Sequence, residues 1–287
     1  MNTVRIGNRE VGPGLPVYFV AEIGINHNGD VDLAKKLIAA AHGAGADAVK
    51  FQKRTVEVVY SEEELARPRE SPFGDTNRDL KHGLEFGEAE YAEIDALCRN
   101  LGIAWFASCW DEGSVDFIDR FEPPCYKISS ASLTDDALLE HTRSKGRPIV
   151  LSTGMSSLDQ IDHAVEVLGR DDLFLLHTTS TYPADDGELN LLVIPQLGER
   201  YGVPIGYSGH EVGLATTLGA VVLGACLVER HITLARHMWG SDQSASVEPH
   251  GIARLVGYIR AWELARGDGV KRVLESELPV MEKLRRV

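Results

Sequence analysis

Short apolar runs alternate with longer amphipathic stretches along the whole chain. The runs VYFVAEIG (17–24), AVKFQK (48–53), IAWFASC (103–109), CYKISS (125–130), PIVLST (148–153), LFLLHTT (173–179), PIGYSG (204–209) and CLVERHIT (226–233) are rich in β-branched and aromatic residues, as buried strands are. After each of them the apolar positions recur at helical spacing, in 32–46, 90–102, 114–121, 133–146, 157–169, 189–202, 213–225 and 251–267. A helical crossover returns the chain to the same end of a sheet, so the strands run parallel, and eight such units close a barrel. The pattern predicts an α/β fold, a (β/α)8 TIM barrel. An open doubly wound sheet is the competing expectation, but no GxGxxG opens a helix after the first strand.

Two segments stand outside the eight units. The opening TVRIGNREVG reads as a short hairpin placed to plug the bottom of the barrel. The stretch from Thr55 to Phe86 is polar, contains proline and leaves from the carboxyl end of the second strand, where barrel active sites lie, so it is a candidate lid. The expected division is a catalytic barrel with its hairpin over 1–267 and a linker-like tail over 268–287.

Composition narrows the partners. A chain of 287 residues with 44% hydrophobic content can bury a sizeable core as one domain. The 29 basic and 43 acidic residues give a net charge of -14, which repels nucleic acid and anionic membranes in the absence of a basic patch. The start MNTVRIGNREVGPG has no apolar core behind a basic flank, and no run of about 18 apolar residues occurs, so the expected compartment is the cytoplasm. Cys98, Cys109, Cys125 and Cys226 have no CxxC spacing and read as reduced, small apolar side chains.

A barrel brings the carboxyl ends of its strands to one mouth. Collected there are Glu22, Lys50 and Gln52, Lys127 and Ser130, Ser152, Tyr182, Ser208 and His210, and Glu229 with His231. The period of two along a strand puts Lys50 beside Gln52 and Glu229 beside His231 on one face. Two lysines among serine hydroxyls suit a small phosphorylated, carboxylated ligand. His210 and His231 are 21 residues apart, one helix plus one strand, so they sit on adjacent strands where two imidazoles can share a divalent ion. On spacing alone two unlinked histidines, core residues or bases, remain the alternative. His27, in INHNGD, has no such partner and reads as a structural or substrate-contacting residue of the first loop.

The stretches AEIGINHNGDVDLAKKLIAAAHGAGADAVKFQK, YKISSAS, LSTGM, STYP, IGYSGHEVG, VERHITL and GSDQSASVEP together resemble the sialic acid synthase family, across roughly residues 17 to 265. The wording of GYSGHEVG, VERHIT and WGSDQSAS is similar to the branch that includes the animal synthases acting on sugar 6-phosphates. The resemblance implies a synthase that condenses phosphoenolpyruvate with an N-acetylmannosamine-type aldose, or its 6-phosphate, to a nonulosonic acid and releases phosphate by C–O cleavage. It implies that Lys50, Lys127, Ser130, Ser152, Ser180, Tyr182 and Ser208 bind phosphoenolpyruvate, with Cys109 in place of another small polar contact. His210 and His231 match ligands of a divalent metal, manganese by the resemblance, with magnesium or cobalt as alternatives. Glu22, Gln52 and Asp242 match residues that handle the sugar and the reacting water; Glu22 is expected to stay ionised beside two lysines and act as base, with Asp242 as the competing base. A homodimer is likewise implied.

Two departures concern the acceptor. Ser132 stands where the family commonly has an acidic residue, and the chain stops at ELPVMEKLRRV, before the antifreeze-like domain that the resemblance would place next and that is expected to be absent. The alternatives are a phosphoenolpyruvate-dependent synthase of a shorter 3-deoxy-ulosonic acid from an unacylated sugar, and a barrel that binds phosphorylated ligands without turnover.

Overall fold

The computed structural model describes residues 3–286; residues 1, 2 and 287, the ends of the two expected segments, lie outside that range. The strands are β1 (Val4–Ile6), β2 (Arg9–Val11), β3 (Tyr18–Gly24), β4 (Ala48–Lys53), β5 (Pro68–Ser71), β6 (Gly74–Thr76), β7 (Ala104–Cys109), β8 (Tyr126–Ile128), β9 (Ile149–Ser152), β10 (Leu173–Thr178), β11 (Ile205–Gly209) and β12 (Leu227–His231). Strands β3, β4 and β7 to β12 form a closed parallel barrel in chain order, with β12 pairing back onto β3. Every expected barrel strand is present, and the (β/α)8 fold stands.

Barrel helices start and stop where the chain supplies caps. The Asp30 carboxylate accepts from the amides of Asp32 and Leu33 at the head of Val31–Gly43, and Ser157 and Gln160 form a reciprocal box at the head of Leu158–Leu168. Gly102 and Gly202, both at φ 71°, end the helices Glu88–Leu101 and Val193–Tyr201 in the left-handed conformation that glycine adopts without strain. The last barrel helix, Pro249–Ala265, buries Ile252, Leu255 and Ile259 against the sheet.

Alternation along the strands separates two cores. Phe19, Ala21, Val49, Phe51, Trp105, Tyr126, Leu151, Leu175 and Tyr207 point outward into the helix layer. Tyr18, Val20, Ala48, Phe106, Cys125, Val150, Phe174, Leu176 and Leu227 point inward and close the amino-terminal half of the barrel. The antiparallel β1–β2 hairpin adds Val4, Ile6 and Val11 to this inner cluster, the plug expected from the sequence. Higher in the barrel the inward positions become Glu22, Lys50, Ser108, Lys127, Ser152, Ser208, Glu229 and His231, all buried. A dry floor under a polar rim is the division of labour typical of this fold.

The Thr55–Phe86 segment holds more structure than the sequence reading gave it: short helices Val56–Val59 and Glu62–Leu65, the β5–β6 hairpin and a helix Asn77–Leu84 with a Thr76–Asp79 capping box. These elements are too short and polar to show a period of their own and depend on tertiary contacts. Gly29 and Gly83 meet closely beneath the ring of Phe73, tying the segment to the first barrel loop. Residues 268–286 carry a short turn at Glu275–Glu277 and an exposed helix, Leu278–Leu284. Among the described residues no helix is long and apolar enough to cross a membrane.

Candidate active site

The barrel mouth encloses a cavity of about 210 Å³, lined by Glu22, Lys50, Gln52, Lys127, Ser130, Ser152, Ser180, Tyr182, Ser208 and His210 among others. The structure thus brings together ten of the twelve site residues expected from the sequence. His231 and Asp242 adjoin these lining residues: the His231 ring is 5.5 Å from that of His210, and its Nδ1 is 4.0 Å from Asp242 Oδ2.

At the base of the cavity four buried charges interlock. Lys50 Nζ lies 2.8 Å from Glu22 Oε2 and 3.7 Å from Glu229 Oε1, and donates to Ser108 Oγ at 2.9 Å. Lys127 Nζ donates to Ser152 Oγ at 2.7 Å and stands 3.9 Å from the same Glu229 oxygen, which also accepts from Ser208 Oγ at 3.0 Å. Gln52 Nε2 donates to the second Glu22 oxygen at 3.2 Å. The strand register places these groups: Glu22 sits opposite Lys50, Ser208 opposite Glu229 and Ser108 opposite Lys127.

Burial and neighbours split the proton affinities of these groups. Burial pushes the Glu22 carboxyl up to about 7; Lys50 pulls it down and Glu229 pushes it further up. Burial alone would also raise Glu229, but Lys127 and Lys50 outweigh it and hold that carboxyl at about 2. Lys127 falls to about 8, chiefly through burial, with Glu229 opposing the fall and Lys50 adding to it. Lys50 is raised, because Glu22 and Glu229 overcome the penalty of burial. Glu22 therefore does not remain a plain carboxylate beside two lysines: it pairs with Lys50 alone, Lys127 belongs to Glu229, and Glu22 exchanges its proton near neutrality.

The two histidines are suited to a cation. Burial lowers His210 to about 4, with a further push from His231, and burial lowers His231 against the pull of Asp242, so both rings are neutral at pH 7. His210 Nδ1 faces the Thr179 carbonyl at 2.8 Å; a carbonyl only accepts, so Nδ1 carries the proton and Nε2 presents its lone pair. His231 Nδ1 is buried without a hydrogen-bond partner, an orphan that a metal ion would satisfy. Among the described residues no cluster of three or more His, Cys, Asp or Glu is assembled, so a divalent ion on this pair keeps positions for substrate and water.

A second group of polar atoms gathers above β8 and β9. Gly154 N donates to Ser130 Oγ at 3.0 Å, and a Cβ built on Gly154 would fall 2.3 Å from Ser180 Oγ and 2.8 Å from Ser130 Oγ. Glycine lets the backbone amide and two hydroxyls converge at this point. Tyr182, half exposed, lays its ring 4.0 Å from that of His210.

Other expectations need correction. Cys109 is buried outside the cavity, its Sγ directed to the Ser114 carbonyl at 3.5 Å; the small polar contact at that strand end is its neighbour Ser108, which strand alternation turns inward. Ser132 is also buried and 3.2 Å from Ser129 Oγ, outside the cavity wall. His27 is structural, stacked 4.0 Å from the Phe86 ring with Nδ1 accepting from Gly29 N at 3.1 Å. Glu229, collected at the rim but given no role, is the hub of the charge network; two lysines with one Glu22 between them were the signal that a second buried carboxylate was required.

Comparison with known proteins bears on this geometry. A family model described as the NeuB family matches residues 37–271. The chain belongs to the NeuB family. N-acetylneuraminate-9-phosphate synthase from Mus musculus is 40% identical over 281 residues, covering 96% of this chain and 78% of the relative. N,N'-diacetyllegionaminic acid synthase from Legionella pneumophila is 34% identical, covering 98% of this chain and 82% of the relative. Among solved structures, the N-acetylneuraminic acid synthetase from Leptospira borgpetersenii serovar Hardjo-bovis in complex with citrate superposes with a TM-score of 0.87 at 30% identity, covering 100% of this chain and 98% of that one. The NeuB match begins after β3, so Glu22 lies outside it, while the mouse relative spans nearly the whole barrel.

Proposed function

We propose that the chain is a synthase joining phosphoenolpyruvate to an aldose, of the N-acetylmannosamine type or its 6-phosphate, to give a nonulosonic acid and inorganic phosphate. The observation that carries this reading is the pairing of Lys127 with Glu229 and of Lys50 with Glu22 around one cavity, a step away from the His210–His231 pair. Relatives named as synthases of N-acetylneuraminate 9-phosphate, diacetyllegionaminic acid and pseudaminic acid support it.

In this reading Ser130, Ser180 and the Gly154 amide cradle the phosphate, while Lys127, Ser152 and Ser208 hold the donor from below and Tyr182 covers it. His210 and His231 would hold a divalent ion, manganese by the resemblance, which would supply Lewis acidity at the acceptor's carbonyl. C3 of phosphoenolpyruvate bonds to the aldehyde carbon, whose oxygen takes up a proton, and positive charge develops at C2. Glu229, ionised at the floor of the cavity, stabilises that charge. Water adds to C2 and gives a proton to Glu22, whose affinity near 7 fits a general base at neutral pH. The C2–O bond to phosphate then breaks and phosphate leaves with the bridging oxygen. Gln52 orients Glu22, and Asp242, beside His231, is the competing base and a contact for the sugar.

Residues 1–267 form the catalytic unit in this account and 268–287 a linker-like tail. The four reduced, buried cysteines support a cytoplasmic enzyme, and a homodimer is carried over from the resemblance. Phosphoenolpyruvate labelled with 18O at the bridging position tests the chemistry. The label is expected in the released phosphate; label retained in the sugar acid contradicts C–O cleavage.

A further inference from the structure

Gln52 reaches Glu22 through an amide whose two ends have nearly the same shape, so the neighbour at its other end shows which end is which. That neighbour is Arg54, two residues along. Arg54 Nη2 bonds Gln52 Oε1. A guanidinium has donors only, so the Gln52 atom facing it must be the oxygen, and the amide nitrogen must face Glu22.

Arg54 is itself fixed on several sides. It is 7% exposed. Nη1 donates to Tyr60 Oη at 2.8 Å, Nε lies 2.8 Å from Glu85 Oε1, and the guanidinium covers the Trp110 ring at 4.8 Å. Tyr60 and Glu85 both belong to the Thr55–Phe86 segment, which lies against the mouth. A continuous line of contacts therefore runs from this segment through Arg54 and Gln52 to Glu22 and on to Lys50.

We propose that Arg54 is a positioning residue for Glu22, acting through Gln52, and that it couples the Thr55–Phe86 segment to the reacting carboxylate. The inference rests on the reading of Glu22 as the group that handles water at C2. With the guanidinium gone the Gln52 amide keeps only its bond to Glu22, loses its second anchor, and holds the carboxylate less firmly in place. Binding of phosphoenolpyruvate at Lys127, Ser130 and Ser152 is untouched by this change, so the effect falls on turnover.

Arg54→Lys tests this with the charge and the ion pair to Glu85 retained, but without the planar fork that bridges Gln52 and Tyr60. The expected result is a fall in kcat of about tenfold or more with KM for phosphoenolpyruvate within about twofold, while in a Gln52→Met background the same substitution changes kcat by less than about twofold. Tyr60→Phe, which removes one anchor of the fork and leaves the ring in place, is expected to lower kcat in the same direction and to lose that effect in the Gln52→Met background. Losses that simply multiply across the two backgrounds, or a kcat for both variants within about twofold of wild type, overturn the inference while leaving the proposed function standing. A wild-type chain that releases no phosphate from phosphoenolpyruvate with any aldose overturns both.

Discussion

Glu229 Oε1 stands 3.9 Å from Lys127 Nζ, and the same oxygen is 3.7 Å from Lys50. One carboxylate therefore compensates two ammonium groups inside the barrel. Removing one partner of a buried charge pair leaves the others uncompensated, at a cost of about 3–5 kcal/mol. Glu229→Gln keeps the shape and the Ser208 contact and is expected to lower stability to urea by about that amount. Added phosphoenolpyruvate, itself an anion, should recover more stability in the variant than in wild type, while kcat falls by about a hundredfold or more. An unchanged unfolding midpoint would remove Glu229 from the centre of the network.

His231→Ala deletes one of the two neutral imidazoles and an unpartnered buried nitrogen. The fold should persist, with thermal unfolding close to wild type, while manganese binding measured by calorimetry is lost and turnover drops about a thousandfold or more. Chelator treatment of wild type should reproduce the loss and added manganese should reverse it. Full activity of the variant in metal-free buffer would take the metal out of the mechanism.

Gly154→Ala tests the anion cradle. The added methyl would meet Ser180 Oγ at 2.3 Å and Ser130 Oγ at 2.8 Å, so those hydroxyls must move off the site. KM for phosphoenolpyruvate is expected to rise about tenfold with a smaller change in kcat, since the lost contacts serve the donor before and during reaction alike. A KM equal to that of wild type would place the phosphate elsewhere.

The pH dependence follows from Lys127, whose affinity is pulled down to about 8. Below that pH the ammonium is charged and attracts the anionic donor; above it the neutral amine does not, so kcat/KM for phosphoenolpyruvate should fall as pH rises through about 8. The rising side should lie near 7, where Glu22 loses its proton and becomes a base. In Lys127→Met the overall rate is lower and the alkaline descent is expected to disappear; a descent that survives belongs to another group.

The barrel was legible because each strand carries its own evidence: a short apolar run, a helical stretch behind it and a polar residue at its carboxyl end. Register then did the rest, since Lys50 and Gln52 on one strand and Glu229 on another face the same interior by period two alone. The same rule, applied one residue further, would have chosen Ser108 over Cys109. What strand periodicity does not encode is proximity between loops. The contact of Arg54 with Tyr60, and the grip of the Thr55–Phe86 segment on the mouth, depend on short polar elements whose positions are set by tertiary packing. Ionisation was also out of reach, because Glu22 and Glu229 are both glutamates on barrel strands, and it is the one lysine acting on the first against the two acting on the second that separates an affinity near 7 from one near 2.

The most direct test is phosphate release from phosphoenolpyruvate across a panel of aldoses, N-acylated, unacylated and 6-phosphorylated, with and without manganese. Release that requires both an aldose and the divalent ion, with a nonulosonic acid formed in equal amount, is the expected result. No release with any acceptor, or release at the same rate without one, would contradict the account.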